Sequence, residues 1–170
     1  MSKDKYLEFL DGSYIGIEID NHERLPESDI NKPVIENFTF STNNFIERIG
    51  DRLYFSPLLY LARTSNPFKD ETREYPIDFN FPKEEKYNLS ITIPEDYIVE
   101  SLPESISFKM ENDYASFLMQ IEANENKIQV QLIKTINTSI ISADEYVSLK
   151  NYYKMMIEKE SRKIILKKKV

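Results

Sequence analysis

The 170-residue chain contains no cysteine, and that one absence removes thiol nucleophiles, disulfides and thiolate metal sites together. It leaves the compartment open, because an exported domain of this size can build an adequate core without disulfides. Tryptophan is also missing, and the only glycines are Gly12, Gly16 and Gly50, too scattered for a phosphate-cradling loop. His22 is the sole histidine. No G-x-S-x-G elbow surrounds any serine, and His22 would have to act as the base for all of them. Nowhere does the chain approach the roughly eighteen apolar residues of a spanning helix, and "MSKDKYLEFLDGSYIGIEID" lacks the apolar run of a signal peptide. The chain as written reads as soluble, and it equally fits a piece cut from an exported parent.

What is present in quantity is aromatic and acidic. Eleven tyrosines and ten phenylalanines suit pleated surfaces, where rings and β-branched side chains pack across strands. With 41% apolar and 30% charged residues, the composition is that of one globular domain. A net charge of −7 repels phosphate backbones at long range, so nucleic acid is not an expected partner. The one basic run, "KESRKIILKKKV" with Lys159, Arg162, Lys163, Lys167, Lys168 and Lys169, reads as a solvated helix end and tail.

Candidate chemistry is sparse. His22 sits among Asp20, Glu23, Glu27 and Asp29, a setting for a carboxylate-oriented base or a calcium loop. No HExxH or DxDxDG spacing supports either, and a solvated loop residue is the simpler reading. The 29 acids could supply a glycosidase pair, but their number argues first for an acidic surface. Asn37, Asn88 and Asn137 begin N-x-S/T triplets, which matter only where asparagine is glycosylated. Exposed tyrosines could stack sugars, yet most stand at strand or helix-core positions. The expectation is therefore no catalytic, cofactor-binding or metal-binding residue, no cofactor, and no enzymatic activity.

Along the chain, residues 3–11 allow a short helix, 14–19 read as extended, and "NHERLPESDINKP" reads as a linker-like loop. "VIENFTF" is a strand, and "FIERI" with "RLYF" flanks Gly50-Asp51, the signature of a type II′ hairpin. "SPLLYLA" is expected as an extended edge segment after Pro57. Alternation then predicts strands with Tyr87, Leu89, Ile91 and Ile93 on one face, stopped by Pro94. Ile106, Phe108 and Met110, then Ala115, Phe117, Met119 and Ile121, then Ile128, Val130 and Leu132 line the inner faces of three more, with "ENDY" and "ANENK" as turns. Ser142 and Glu145 spell a capping box, and Tyr146, Leu149, Tyr153, Met156 and Ile157 form a core stripe on the helix that follows. The fold expected is mainly β: an antiparallel β-sandwich with one C-terminal α-helix packed on it. Its divisions are a lead-in over 1–30, a β core over 31–141, a helix over 142–160, and a basic tail or last strand over 161–170. "TSNPFKDETREYPIDF" reads as the crossover between hairpin and meander, with Phe68, Tyr75, Ile77 and Phe79 as anchors and Lys69 to Glu74 as a solvated bridge.

"IGDRLYFSPLL", "NPFKDETREYPIDF", "IPEDYIVESLPES" and "SADEYVSLKNYYKMMIEKESRKIIL" occur together and in that order. The combination, spread over roughly residues 15–168, resembles the C-terminal domain of unknown function of bacterial cell-envelope transglutaminase-like proteins. The resemblance implies an accessory module in a larger exported parent, placed in the periplasm or cell envelope. Its partner would be the transglutaminase-like domain of the same chain, with other envelope proteins or glycans as further partners. The parents' cysteine-histidine-aspartate triad belongs to their central domain and cannot be carried onto a chain without cysteine. An autonomous glycan- or peptide-binding β-sandwich is the alternative.

Overall fold

Four runs of alternating polar and apolar residues become one antiparallel sheet, because alternation places every apolar side chain on a single face. The computed structural model describes residues 5, 6, 9, 12, 16–24 and 34–169. In chain order the strands are β1 (Glu18–Arg24), β2 (Glu36–Ser41), β3 (Ile46–Ile49), β4 (Arg52–Phe55), β5 (Ile77–Asp78), β6 (Lys83–Thr92), β7 (Tyr97–Ser101), β8 (Ile106–Lys109), β9 (Ala115–Asn124), β10 (Lys127–Ile136) and β11 (Ile140–Ile141). Helix α1 (Tyr146–Glu160) and strand β12 (Ile164–Lys168) complete the order. The chain divides into two compact units, 1–47 and 48–170, and the division falls inside β3.

In the first unit β1 pairs antiparallel with β2, with a bulge between Ile19 and Asn21. That bulge breaks the alternation, which is why Asn21–Arg24 reads as a loop but folds as a strand. Residues 25–33 of the expected linker lie outside the described residues, as do Tyr14 and Ile15. Of the expected 3–11 helix, residues 5, 6 and 9 are helical and the others lie outside the described residues.

In the second unit the order β6-β10-β9-β8 builds one four-stranded sheet, and β3-β4-β12-β7 builds another. Ala115, Phe117, Met119 and Ile121 on β9 face the same way as Ile128, Val130 and Leu132 on β10, and all are buried. One end of this face carries α1 through Tyr146, Leu149, Tyr152, Tyr153 and Met156. The other end packs on the second sheet through Phe55, Tyr97, Ile164 and Leu166. The fold is mainly β, antiparallel throughout, with the C-terminal helix laid on the sheet as expected.

The hairpin between β3 and β4 forms at Gly50, which takes φ +61 while Asp51 keeps a negative φ, as a type II′ turn requires. "SPLLYLA" departs from expectation: it is a 3₁₀ turn over Leu59–Leu61, not an extended edge. Ser56 starts it, its Oγ accepting from the Leu58 amide at 3.3 Å and its carbonyl from the Leu59 amide at 3.1 Å. Three residues per turn bring Leu58 and Leu61 to the helix-covered cluster and send Leu59 to the other, which an extended strand could not do.

Two further departures have local causes, and one open alternative is decided. "ANENK" shrinks to Glu125-Asn126, since the flanking residues continue β9 and β10 in register and Glu125 takes φ 50. The capping box does not form: Ser142 makes no side-chain cap, and the helix is entered by a 3₁₀ turn in which the Glu145 amide donates to the Ser142 carbonyl. "KIILKK" resolves to strand, with β12 lying between β4 and β7. Strand β7 itself escapes the alternation reading, because the ladder slips between Ile165 and Leu166 and leaves Glu100 as the extra residue.

Candidate functional site

The four motifs of the sequence reading meet one another. In the connector, the Asn66 side chain accepts from the Phe68 amide at 2.9 Å, an Asx turn, and donates to the Lys150 carbonyl on α1 at 2.9 Å. That turn drives Phe68 into the helix, edge-on to Tyr146 and Tyr153 with ring centroids 5.9 and 4.9 Å away. The Tyr146 hydroxyl then donates to the Asp70 carbonyl at 2.9 Å, and Lys150 Nζ donates to the Lys69 and Asp70 carbonyls. Lys69 to Glu74 are exposed as expected, and Ile77 is buried. Tyr75 is not an anchor; it is 74% exposed, because the two-residue β5–β11 pairing at Ile77↔Ile141 already fixes that end.

A second meeting point is ionic. Arg52, on β4, donates to both oxygens of Glu100 at 2.7 and 2.8 Å, a bidentate pair spanning the strand between them. The bulge in β7 is what turns the Glu100 carboxylate to that face. The pair holds the Glu100 carboxyl below its ordinary range, chiefly through the Arg52 hydrogen bond. At the basic end of the chain, Lys169 Nζ donates to the Glu95 carbonyl and Lys168 stands 3.8 Å from Asp96. The predicted solvated tail is thus a strand tied to an acidic turn.

The third meeting point is the strongest concentration of titratable groups. Glu160, at the last position of α1, is fully buried. Its Oε2 accepts from the Arg63 amide at 2.7 Å, while its Oε1 lies 3.3 Å from Lys134 Nζ without a directed hydrogen bond. Lys134 reaches the Glu85 carboxylate at 2.9 Å and lies over the Tyr87 ring at 5.2 Å. Beside it is a cavity of about 20 Å³, with Arg63, Lys83, Tyr152 and Tyr153 among its walls, room for roughly one water molecule.

Burial alone would push the Glu85 carboxyl up, but the Lys134 bond and charge outweigh it and hold it below the ordinary value. Burial would likewise lower Lys134, and the Glu160 and Glu85 charges outweigh that and raise it. Burial pushes the Tyr152 and Tyr153 hydroxyls up. All of these groups move away from neutrality, opposite to the direction that poises a general acid or base.

The cluster carries a pH signature. A carboxyl lowered on folding stabilises fully above its unfolded value and loses that contribution as pH falls through the folded one. A lysine raised on folding stabilises fully below its unfolded value and loses it as pH rises through the folded one. With ordinary values of 4.5 for Glu85 and 10.5 for Lys134, both contributions are expected to be complete between those limits. Chemical denaturation at stepped pH checks this: Lys134→Met should flatten the fall on either side, and an unchanged profile would contradict it.

His22 is not the solvated loop residue expected from its polar neighbours. It lies in β1, its side chain 5% exposed, with Nε2 3.7 Å from Glu36 Oε1 and its ring 5.3 Å from that of Tyr6. The Tyr6 hydroxyl donates to the same Glu36 carboxylate at 2.7 Å, and Arg24 stands 3.8 Å away. Register explains the grouping, since β1 and β2 place His22 opposite Phe38 and Arg24 opposite Glu36. Glu36 and Tyr6 carried no signal in sequence. Asp20 and Glu23 are exposed, and Glu27 and Asp29 lie outside the described residues. Among the described residues no group of three or more histidine, aspartate or glutamate side chains is placed to hold a metal ion. Asn37, Asn88 and Asn137 are all exposed; Asn88 accepts from Gln131 and Asn137 donates to the Asp113 carbonyl.

Fold and motif contacts together define a mainly antiparallel β module whose distinctive residues hold its layers to one another. The chain belongs to the family described as "Domain of Unknown Function with solved-structure structure" (DUF3858), whose model matches residues 51–166, within the second unit. One solved structure, described as a "putative protease" from Parabacteroides distasonis, is similar over 58% of this chain at 12% identity with a TM-score of 0.49, and the similar part makes up 19% of that chain. No curated protein matches the chain.

Proposed function

We propose that this chain is a noncatalytic accessory domain of a bacterial transglutaminase-like protein, exported to the periplasm or cell envelope. There it packs against or positions the catalytic domain of its parent, or mediates its contacts with other envelope proteins. One observation carries the reading: the residues of the four motifs are engaged with each other. Asn66, Phe68, Tyr146 and Lys150 join connector to helix, Arg52 and Glu100 join two strands across a third, and Ser56, Arg63 and Glu160 join the end of α1 to the segment after β4. Side chains committed in this way support a structural role for the motifs rather than a reactive one. The chemistry falls to the parent's own domain.

The test compares the full parent with one lacking the stretch that matches residues 48–170. The shortened protein is expected to lose activity several-fold or to accumulate in insoluble form, while the isolated chain turns over no peptide, ester or glycoside substrate. Full activity in the shortened parent, or turnover by the isolated chain that vanishes on removing an acid pair, would sink the proposal.

A second reading rests on the outer face of the β6-β10-β9-β8 sheet. Asn88, Gln120, Glu122, Gln129 and Gln131 line a shallow depression of about 300 Å³ there, with amides already ordered by Gln129→Ser90 and Gln131→Asn88 hydrogen bonds. Such a face suits a glycan or a polar peptide. Titration with soluble cell-wall glycan fragments, followed by the amide signals of these glutamines, separates the two readings.

A further inference from the structure

The two four-stranded sheets of the second unit end in β6, β8, β3 and β7, and three of these edges are blunted. Strands β3 and β8 have four residues each, and β7 has five with a bulge at Glu100. Short strands, bulges and charged side chains, lysine above all, are how proteins avoid unwanted strand pairing. Strand β6 is neither short nor bulged, and its charges are confined to Lys83–Lys86. It is ten residues long, pairs with β10 without a register shift from Lys83 to Thr92, and contains no proline. Among the described residues, no backbone group of β6 bonds to any strand or loop other than β10, so the row facing away from the sheet is unpaired.

We propose that this edge receives β6 of a second copy of the chain, antiparallel, joining two sheets into one continuous sheet. Charge pattern selects the occupant. All four charges of the strand, Lys83, Glu84, Glu85 and Lys86, lie in its first half, and Tyr87 to Thr92 carry none. A two-fold axis normal to the sheet pairs residues that share a face, and two registers then give almost full overlap. One sets Tyr87 opposite its own copy, with Glu84 meeting Ser90 and Lys86 meeting Asn88. The other sets Asn88 opposite its own copy, with Glu84 meeting Thr92 and Lys86 meeting Ser90. In both, every charge faces a neutral residue. Registers centred on Glu84 or Glu85 set a glutamate opposite its own copy between Lys–Glu pairs and overlap only over 83–85 or 83–87, and the register centred on Lys86 sets two lysines face to face. An inverted copy can therefore pair over nearly the whole strand with no like charges facing each other.

An edge-to-edge contact of this kind is small, and interfaces below about 1,200 Å² are weak and reversible. Sedimentation equilibrium of the whole chain over a concentration series reaching about 1 mM, the weak end of the affinity scale, reads it directly. The average mass is expected to climb from the 20.1 kDa of one chain toward twice that value. Asn88→Lys meets Lys86 in one register and its own copy in the other, so it should hold the protein monomeric while leaving its thermal melt unchanged. Ser107→Lys, on the opposite edge strand β8, should leave self-association intact. Because the chain has no cysteine, Asn88→Cys supplies a single thiol that should link two copies on mild oxidation in the register that sets Asn88 opposite its own copy, and Ser107→Cys should link none in either. A wild-type chain that stays monomeric throughout, or one that associates equally well as Asn88→Lys, overturns the proposal.

Discussion

Glu160→Ala is expected to destabilise the second unit by about 3 kcal/mol, near the lower end of the range of about 3–5 for breaking a buried ion pair. The lower end applies because Lys134 keeps its 2.9 Å partner Glu85, so the orphaned lysine is not left without compensation. What does become unsatisfied is the Arg63 amide, whose acceptor is Glu160 Oε2. For a chain of this size each kcal/mol moves the midpoint of thermal unfolding by roughly 2–4 °C, so a fall of roughly 6–12 °C should be measured. Glu160→Gln keeps an oxygen for Arg63 and should fall less. Pairing Glu160→Leu with Lys134→Met should recover part of the loss, since a buried pair is often no better than well-packed apolar residues. A loss within 1 kcal/mol for the alanine variant would mean that solvent already reaches the carboxylate.

Phe68→Ala is expected to cost about 3–5 kcal/mol, the usual range for removing a buried phenylalanine, with its two edge-on ring contacts favouring the upper half. Phe68→Leu retains most of the volume and should cost less than about 1.5 kcal/mol beyond its lost ring contacts. Urea midpoints give the totals. Hydrogen exchange locates the effect: amides of residues 69–76 and the first turns of α1 should exchange faster, while those of β9 and β10 keep their protection. Equal loosening of both regions would show that the connector is not a separable clamp.

How far the sequence discloses this protein depends on whether water sits on one side of a segment. Strands β6, β9 and β10 each have a wet face and a dry one, so their alternation is visible in the residue order. The paired residues of β7 and β12 slip by one at Glu100, and a slip cannot be seen from one strand alone. "PLLYL" looks like a strand because it is apolar, but its leucines serve two different clusters, which only a tight turn can arrange. Glu160 is hidden in the sequence because an acid followed by Arg162 and preceded by Glu158 and Lys159 reads as surface. One hint was there: a glutamate in the last turn stands against the helix dipole, and such a placement asks for a remote cation. That cation, Lys134, is on β10, and no local pattern connects them. The aromatic stripe of α1 was legible because rings three and four residues apart share a face, whereas the partner it packs on, Phe68, required the Asx turn at Asn66 to be aimed.

The position of β12 bears on how the protein is made. Strand β4 pairs with β12 from Phe55↔Ile164 to Arg52↔Lys167, so a strand near the start of the second unit waits for one synthesised about a hundred residues later. At roughly 5–20 residues per second of translation, that interval is about 5–20 s. During it the hairpin can form, yet the edge of β4 that faces away from β3 has no strand to pair with, and Phe55 lacks the part of its cluster that Ile164 and Leu166 supply. The second sheet therefore closes only after the helix has left the ribosome, and until then the nascent chain presents one unpaired strand edge.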